Sequence, residues 1–287
     1  MNEIKSGTIK NITFKNNDIK FNSMSMNYET MPLFFNAQIK DIYSAKNLSA
    51  DFSAILNEKS TDSIINPYLT YPIKIKEEIP IKGYFKGNSD KYLIDAIATF
   101  PINSDIYYSG ANLGDINHKR ELQAKIEVNQ NIASVHNLKL IKFITNQNNK
   151  TNPIIALKAN GQAIENNGEI NYNNFKISTN SPISVKILNL IFKKSLLKQG
   201  NFECDLTLNG NIKNPKPIGK INLQDLDIPL YDIQIRNIDI DILDKIINAK
   251  IFAKNKQSDV KVSLKAQNDF NLPYIIDNLN ITYDDEG

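Results

Sequence analysis

The sequence contains two histidines and one cysteine, the residue types most often used for catalysis and metal binding. His118 lies in a polar segment that predicts a turn, and His136 lies in an alternating segment that predicts a strand. Either imidazole has the chemistry of a general base or of a metal ligand. Neither has a second histidine at ligand spacing or an accompanying cysteine, so the sequence favours ordinary exposed or half-exposed histidines.

Cys204 is the only cysteine, which excludes an intrachain disulfide and a cysteine-based zinc site within this sequence. It lies between Glu203 and Asp205 on a predicted strand. A catalytic thiol needs a positive neighbour or a helix start to lower its pKa, and this segment offers neither. We therefore expect Cys204 to be a packing or surface residue.

Two acidic pairs, Glu77–Glu78 and Asp284–Asp285, are the remaining candidates for chemistry. Adjacent residues on a strand point to opposite faces, so neither pair is expected to converge on a substrate or a cation. The sequence also contains no nucleophile elbow, phosphate-binding glycine loop or EF-hand ligand series. These observations predict a non-enzymatic protein with no cofactor and no metal site.

The charge of the chain is nearly balanced, with a formal net charge of +3 and both signs mixed along the sequence. That distribution is not the electrostatic footprint of a nucleic-acid-binding protein. A small basic cluster, Lys193, Lys194 and Lys198, is more typical of a solvated turn than of a membrane contact. The sequence has no apolar run of about 20 residues and no signal-peptide core at its start, so an envelope role would make this chain a piece of a larger protein.

Period-2 alternation of apolar and polar residues recurs along the whole sequence and predicts half-buried strands. Short polar turn signals separate these segments at hairpin spacing. The sequence therefore predicts an all-β, long and curved antiparallel meander of stacked hairpins. The turn signals are Lys15–Asp18, Gly87–Asp90, Asn166–Gly168 and Lys254–Gln257.

Helix is expected in two places only. Residues Ser60–Asp62 are suited to cap a single turn that ends before Pro67. The segment Pro182–Lys198 has a helical apolar face, although the alternation over Ile183–Ile187 favours a strand instead.

Two internal repeats support a stacked-hairpin organisation. In the first, a glycine occupies a position on the apolar face of a strand, at Gly83, Gly161 and Gly210, which predicts a bend or a close neighbour. In the second, Asp18–Met26 matches Asp232–Ile240 in apolar pattern. Upstream of that match, Gly7 and Ile9 align with Gly219 and Ile221 when two inserted residues are allowed.

A segment over residues 147–153 is the best linker candidate, because residues 147–152 are all polar and residue 153 is a proline. It divides the chain into an N-terminal segment, 1–150, and a C-terminal segment, 151–287. The alternative is one continuous sheet in which residues 147–153 form a long hairpin loop.

The segment Gln199–Leu223 carries a more specific pattern. A Gly-x-apolar strand leads to an apolar-x-apolar-x-Gly strand, then to Asn214–Pro215, then to a Gly-x-apolar-x-apolar strand, and Asn237–Ile242 continues the series. This pattern resembles a signature of the AsmA/TamB superfamily of bacterial envelope proteins. The resemblance covers about residues 180–245, and the membrane anchor of that family is missing from this sequence.

The resemblance implies an open β-groove that carries phospholipid acyl chains between the inner and outer membranes of a diderm bacterium. It also implies a periplasmic or envelope location, anchored through a segment not present here, and a link to outer-membrane protein assembly. Under this hypothesis the apolar residues of the alternating strands line the groove. The residues expected to do so are Ile79, Ile81, Phe85, Leu206, Leu208, Ile212, Ile221, Leu223, Ile233, Ile235, Ile238 and Ile240.

The alternation itself leaves the architecture open. In a closed sandwich the same apolar face is buried against a second sheet and serves stability alone. In an open sheet it is exposed enough to bind an apolar ligand. A structural or adhesive β-protein that binds a partner through a strand edge or loops is the second functional hypothesis, and an enzyme with a scattered site is the third.

Overall fold

The protein is an all-β chain. A computed structural model describes residues 4–28, 30–40, 47–66, 72–88, 90–102, 104, 106–108, 111–112, 118–145, 151–185, 199–211, 215–228, 233–244, 246–255, 258–267 and 276–285. Strands contain 84% of these residues, and 17 strands belong to one long antiparallel sheet. The predicted fold class, a long antiparallel meander with little helix, is confirmed.

The chain divides into two compact units. The first consists of Met1–Tyr108 and Asn112–Ile154, and the second of Ser109–Ala111 and Ile155–Gly287. The division between Ile154 and Ile155 lies four positions beyond the boundary predicted at 150/151. Thr151–Pro153, assigned to a linker from the sequence, begins a strand instead, and the other predicted linker residues, 147–150, lie outside the described residues.

The first unit is built on an eight-stranded meander, in which each strand pairs antiparallel with the next along the sheet. Three shorter strands, β5, β8 and β9, form a small separate sheet. The strands are β1 (Ile4–Lys15), β2 (Asp18–Tyr28), β3 (Met31–Lys40), β4 (Asn47–Leu56), β5 (Ile73–Ile75), β6 (Ile79–Gly87), β7 (Lys91–Phe100), β8 (Ile106–Tyr108), β9 (Ala111–Asn112), β10 (Arg120–Asn129) and β11 (Ile132–Thr145).

The second unit repeats the meander. Strands pair in the order β12, β13, β15, β16, β17, β18, β19 and β20, while the two-residue strand β14 pairs with the start of β15 beside β13. The strands are β12 (Thr151–Asn166), β13 (Glu169–Thr179), β14 (Ile183–Ser184), β15 (Gln199–Asn211), β16 (Lys216–Ile228), β17 (Ile233–Ile242), β18 (Ile246–Asn255), β19 (Ser258–Gln267) and β20 (Ile276–Asp285).

The predicted hairpin turns lie between paired strands. Asn16 and Asn17 join β1 to β2 with φ values of 51° and 65°, the left-handed values that a type I′ turn requires. Asn167 and Gly168 join β12 to β13 in the same way, with φ values of 53° and 79°. Asparagine and glycine tolerate this conformation better than other residues, which is why these turns are readable in the sequence.

The first helix prediction is correct in place but wrong in its cap. Helix α1 (Glu58–Ser60) continues into a π-helical turn over Thr61–Ile65. Asn57 caps it, because its Oδ1 accepts a hydrogen bond from the Ser60 backbone N–H at 3.0 Å while Ser60 Oγ accepts one from the Asn57 N–H at 2.8 Å. Ser60 is thus the third residue of the helix and reciprocates the cap.

The second helix prediction is wrong where it can be compared. Ile183 and Ser184 form β14, with Ile183 opposite Phe202 of β15, so the alternative interpretation of this segment as a strand holds at its start. The remainder of the predicted helix, 186–198, lies outside the described residues, as does the basic cluster Lys193, Lys194 and Lys198.

Candidate functional site

One face of the first unit is apolar across its full width. Residues directly opposite each other in an antiparallel pair project to the same face, so the register defines rows that cross the sheet. Two such rows cross all eight strands and contain only apolar residues and glycine. They are Ile9, Met24, Phe35, Phe52, Gly83, Ala96, Ala124 and Leu138, and Ile12, Phe21, Ala37, Ala50, Phe85, Ile94, Ile126 and Val135.

A β-bulge in β2 keeps these rows on one face. Met24 lies opposite Phe35 and Phe21 lies opposite Ala37, so two residues of β2 face one residue of β3, and β2 has one extra residue. Ser23 adopts a φ of 53° in this bulge, and its backbone N–H donates a hydrogen bond of 2.9 Å to Asn36 Oδ1. Without the bulge, the alternation would turn Phe21 and Ile19 to the opposite face.

The second unit has an equivalent apolar face. One row crosses all eight of its long strands, and a second crosses six of them. They are Ala159, Ile177, Leu206, Gly219, Ile242, Ile247, Ala266 and Ile276, and Phe202, Leu223, Ile238, Ile251, Val262 and Ile281.

The opposite face of each unit is mostly polar. In the second unit, Lys220 Nζ lies 3.7 Å from Asp241, directly across the strand pair, and Asn222 Nδ2 donates hydrogen bonds to Asn237 (2.7 Å) and Asp239 (2.6 Å). A shallow hollow of about 560 Å³ is lined by residues that include Glu203, Lys220, Asn222, Asp239 and Asp241. Paired charges and amides make this face a solvated surface, so the two faces of the sheet differ sharply in chemistry.

The apolar faces are only partly buried. Most of their side chains are of intermediate exposure, and several at the margins are open, including Ile12 at 49% and Leu279 at 52%. Side chains at the centre of a closed sandwich are largely removed from water. The apolar faces therefore keep surface that an apolar ligand can contact.

A small second layer covers one end of the apolar face in the first unit. Ile75 of β5 and Ile106 of β8 pack on Ile79 of β6, which is 1% exposed. Asn66, which follows the helical turn, ties that turn to β5, because its Nδ2 donates to the Ile73 carbonyl at 3.0 Å and its Oδ1 accepts from the Ile73 N–H at 2.7 Å. Nothing in the alternation pattern predicts this layer.

The second unit is also covered at one end of its apolar face. Val185, immediately after β14, is fully buried with Phe202, Cys204 and Leu226. The Cys204 N–H donates a hydrogen bond of 2.9 Å to Thr179 Oγ1, which joins β15 to the end of β13. Each unit thus combines one covered end with a longer, partly exposed apolar face.

The structure brings the residues expected to line a groove onto these faces. Ile79, Ile81 and Phe85 share the apolar face of the first unit, although Ile79 belongs to the buried cluster under β5 and β8. In the second unit the shared face holds Leu206, Leu208, Ile221, Leu223, Ile235, Ile238 and Ile240. Ile233 pairs with Ile228 in register, and Ile212 lies outside the described residues.

The candidate catalytic residues do not converge. His136 lies on the polar side of β11, where its Nε2 is 3.0 Å from Glu127 Oε2, while His118 precedes β10 at the other end of the β10–β11 hairpin. Lys91 Nζ also contacts Glu127 Oε1 at 3.1 Å. The His136 hydrogen bond and then Lys91 hold the pKa of the Glu127 carboxyl below its ordinary value of 4.5. The geometry is that of an exposed ion-pair cluster.

Cys204 is a buried packing residue, one of the two roles expected for it. Burial, followed by the neighbouring Asp205 carboxylate, raises the pKa of its thiol to about 11. Glu77 and Glu78 lie in the connection between β5 and β6 and not on a strand, so the reason given for their divergence was wrong. Among the described residues, no group of three or more histidine, cysteine or acidic side chains is placed to hold a metal ion.

A scan of protein-family models and searches of curated proteins and of solved structures found no match for this chain. In the part of the chain that the structure describes, no helix has the length and apolar character needed to cross a membrane.

Proposed function

We propose that this chain is a non-enzymatic lipid-binding protein that holds phospholipid acyl chains along the apolar faces of its two units. The observation that carries the proposal is the pair of apolar rows across all eight strands of the first unit, together with the equivalent rows of the second. These rows are continuous and partly exposed.

The dimensions of such a face suit an acyl chain. Eight strands spaced about 4.8 Å apart make a face on the order of 35 Å wide. The hydrocarbon depth of one bilayer leaflet is about 15 Å, half of a core of about 30 Å, so an acyl chain fits along the face of either unit.

The chemistry of the face is also suitable. Each methylene removed from water contributes roughly 0.8 kcal/mol, without any directional contact. Because the rows contain aliphatic, aromatic and small residues but no charge, an acyl chain meets similar surroundings at each strand. That uniformity allows the chain to move along the face without a deep energy minimum.

The resemblance of Gln199–Leu223 to the AsmA/TamB superfamily supports the same proposal and extends it. On that resemblance, we propose that the activity is transfer of phospholipid between the inner and outer membranes, in the periplasm of a diderm bacterium. A role in outer-membrane protein assembly is the alternative within that setting. Both extensions depend on the resemblance, whereas acyl-chain binding depends on the geometry of the two faces.

The test compares a charge placed on the apolar face with the same charge placed on the polar face one position away. Leu208→Asp and Thr207→Asp form such a pair in β15, because Leu208 lies opposite Phe175 and Thr207 opposite Lys176. Ile81→Asp and Lys82→Asp form the matching pair in β6 of the first unit. Protein purified from a diderm bacterium is examined by native mass spectrometry, and its lipids are extracted from the same sample.

We expect phospholipid to accompany the wild type, Thr207→Asp and Lys82→Asp, and to be reduced at least tenfold in Leu208→Asp and Ile81→Asp with unchanged far-UV circular dichroism. A wild type that is stable and free of lipid would overturn the proposal. Unfolding of both apolar-face variants, with their controls folded, would instead indicate a closed core, because a charge buried there has no compensating partner.

A further inference from the structure

Two cationic side chains lie on the otherwise uncharged apolar face of the first unit. Arg120, the first residue of β10, lies directly opposite Phe100 of β7 and Lys142 of β11, so all three project to one face. This is the apolar face, because Leu122, two positions along β10, lies opposite Ala98. In the described part of the eight long strands, the other paired positions of this face carry no charge.

The pair lies beside the small covering layer of the first unit. Phe100 packs against the buried cluster that β5 and β8 form with β6. The Arg120 guanidinium lies 5.7 Å from the centre of the Phe100 ring, and its Nη2 donates a hydrogen bond of 3.0 Å to Oγ of the buried Ser104. Arg120 is thus held in place at the margin of the covering layer, with Lys142 on the next strand.

The surroundings of the two cations suit a bound phosphate. Both side chains are half-buried, and charges interact more strongly in such partly dry surroundings than in bulk water. Residues directly opposite each other in an antiparallel pair have Cα atoms about 5 Å apart, so one phosphate can accept hydrogen bonds from both Arg120 and Lys142. Like charges in that arrangement repel, and an anion shared by both is therefore stabilising.

We infer that Arg120 and Lys142 bind the phosphate of a phospholipid whose acyl chain lies on the apolar face of the first unit. The next row of that face, which contains Leu122 and Leu140, begins about 7 Å farther along the strands. Charge complementarity selects the ligand, because a phospholipid joins an anion to an apolar chain in one molecule. The inference rests on the proposed function and adds to it a position for the head group.

Neutral substitutions in the full chain test the pair. Lys142→Gln removes one charge, and Lys139→Gln is the matched control, because Lys139 lies opposite Gln123 on the same strand pair and projects to the polar face. Arg120→Gln removes the other charge, whereas Arg120→Lys retains it. The two Arg120 variants separate loss of the charge from loss of the contacts with Phe100. Far-UV circular dichroism checks the fold of each variant.

The readout is a competition between two lipids that share an acyl chain and differ in the phosphate. Each protein is stripped of lipid by detergent exchange and mixed with equal amounts of 1-oleoyl-lysophosphatidic acid and 1-oleoylglycerol, both below the concentrations at which they aggregate. The protein is then separated on a desalting column, and the two bound lipids are quantified by mass spectrometry. The different solubilities of the lipids affect every variant equally, so the bound ratio can be compared between variants.

We expect the wild type, Lys139→Gln and Arg120→Lys to prefer lysophosphatidic acid over 1-oleoylglycerol by about fivefold or more, because the phosphate receives charge-assisted hydrogen bonds. Lys142→Gln and Arg120→Gln should lose most of this preference. A large excess of glycerol 3-phosphate should leave the bound lysophosphatidic acid in place, because it has no acyl chain to bind the apolar face.

The possible failures can be told apart. Equal binding of both lipids by the wild type, or a preference that Lys142→Gln and Lys139→Gln change alike, would overturn the inference and leave acyl-chain binding intact. Displacement by glycerol 3-phosphate would assign the two cations to a free phosphate and would also overturn it. If the wild type binds neither lipid, acyl-chain binding is itself wrong and the phosphate site is wrong with it.

Discussion

Phe52 of β4 lies directly opposite Gly83 of β6, and its ring fills the space that a side chain at position 83 would need. A Cβ atom added to Gly83 would lie 2.5 Å from Phe52 Cζ and 2.8 Å from the carbonyl oxygen of Asp95. The glycine of the repeated motif is thus explained here by a close neighbour and not by a bend.

Replacing Gly83 by alanine should therefore destabilise the first unit. The Phe52 ring must leave its position and the β6–β7 pair must open slightly, which costs roughly 1–3 kcal/mol, as in other overpacked sites. Urea unfolding followed by circular dichroism measures the change. Gly7→Ala is the matched control on the same face, because its Cβ would meet only ordinary contacts at 3.5 Å. Equal loss in both variants would show that the Phe52 contact is not the cause.

Ile79 and Ile81 occupy the same face of β6 two positions apart but differ in cover. Ile79 is 1% exposed beneath Ile75 and Ile106, while Ile81 is of intermediate exposure. Ile79→Ala should cost about 2–5 kcal/mol of unfolding free energy, and Ile81→Ala clearly less, because the latter leaves no enclosed cavity. Parallel denaturant titrations of the two variants make the comparison. Equal losses would indicate that Ile81 is also enclosed.

The Glu127 cluster gives the first unit a pH-dependent contribution to stability. Hydrogen bonding from His136 and the charge of Lys91 hold the pKa of Glu127 below 4.5, so the contribution is present above that pH and is lost as the pH falls through the lowered value. Glu127→Gln should lower the melting temperature at pH 7 and have no effect once the carboxyl of the wild type is protonated.

Salt provides the control for this prediction. The cluster is exposed to solvent, so the difference between wild type and Glu127→Gln should shrink at pH 7 when the salt concentration is raised to 1 M. A difference that is independent of both pH and salt would assign the effect of the substitution to packing.

The strands and hairpins could be predicted because their determinants are local. Alternation fixes which residues share a face, and Asn16–Asn17 and Asn167–Gly168 supply the left-handed φ values of their turns. The covering layer could not be predicted, since β5 and β8 are three residues each, and Ile106 of β8 packs on Ile79, which is 27 positions earlier in the sequence. Strands of three residues are too short to show a period-2 alternation in the sequence.

The long-range repeat was correct in one part and wrong in another. Strand β17 has a register irregularity between Ile235 and Asn237, at the position that matches the bulge of β2. The upstream alignment of Gly7 with Gly219 is wrong. Gly7 lies opposite Met26, and the repeat matches Met26 to Ile240. Gly219 lies opposite Ile242 instead, two positions beyond Ile240. Apolar pattern alone does not fix register when a strand contains a bulge.

The thiol of Cys204 should be almost unreactive in the folded protein. Its pKa is raised from 9.0 to about 11, first by burial and then by the Asp205 carboxylate. A rise of that size leaves roughly 100-fold less thiolate at pH 8 than an ordinary cysteine has, and the thiolate is the reactive form. Iodoacetamide should therefore alkylate the native protein far more slowly than the urea-unfolded protein, with a rate that increases up to about pH 11.

The same shift has a consequence for stability. The folded state disfavours the thiolate, so stability is complete below the ordinary pKa of 9.0 and falls as the pH rises toward about 11. Asp205→Asn, on the polar face, removes the second cause of the raised Cys204 pKa. This variant should be alkylated faster than the wild type in the native state at pH 9. The alkylation rate of the unfolded chain should not change. Thr207→Asn, on the same face of β15, is the control that should not alter the rate. Native alkylation as fast as that of the unfolded chain at pH 8 would show that Cys204 is not enclosed by Val185, Phe202 and Leu226.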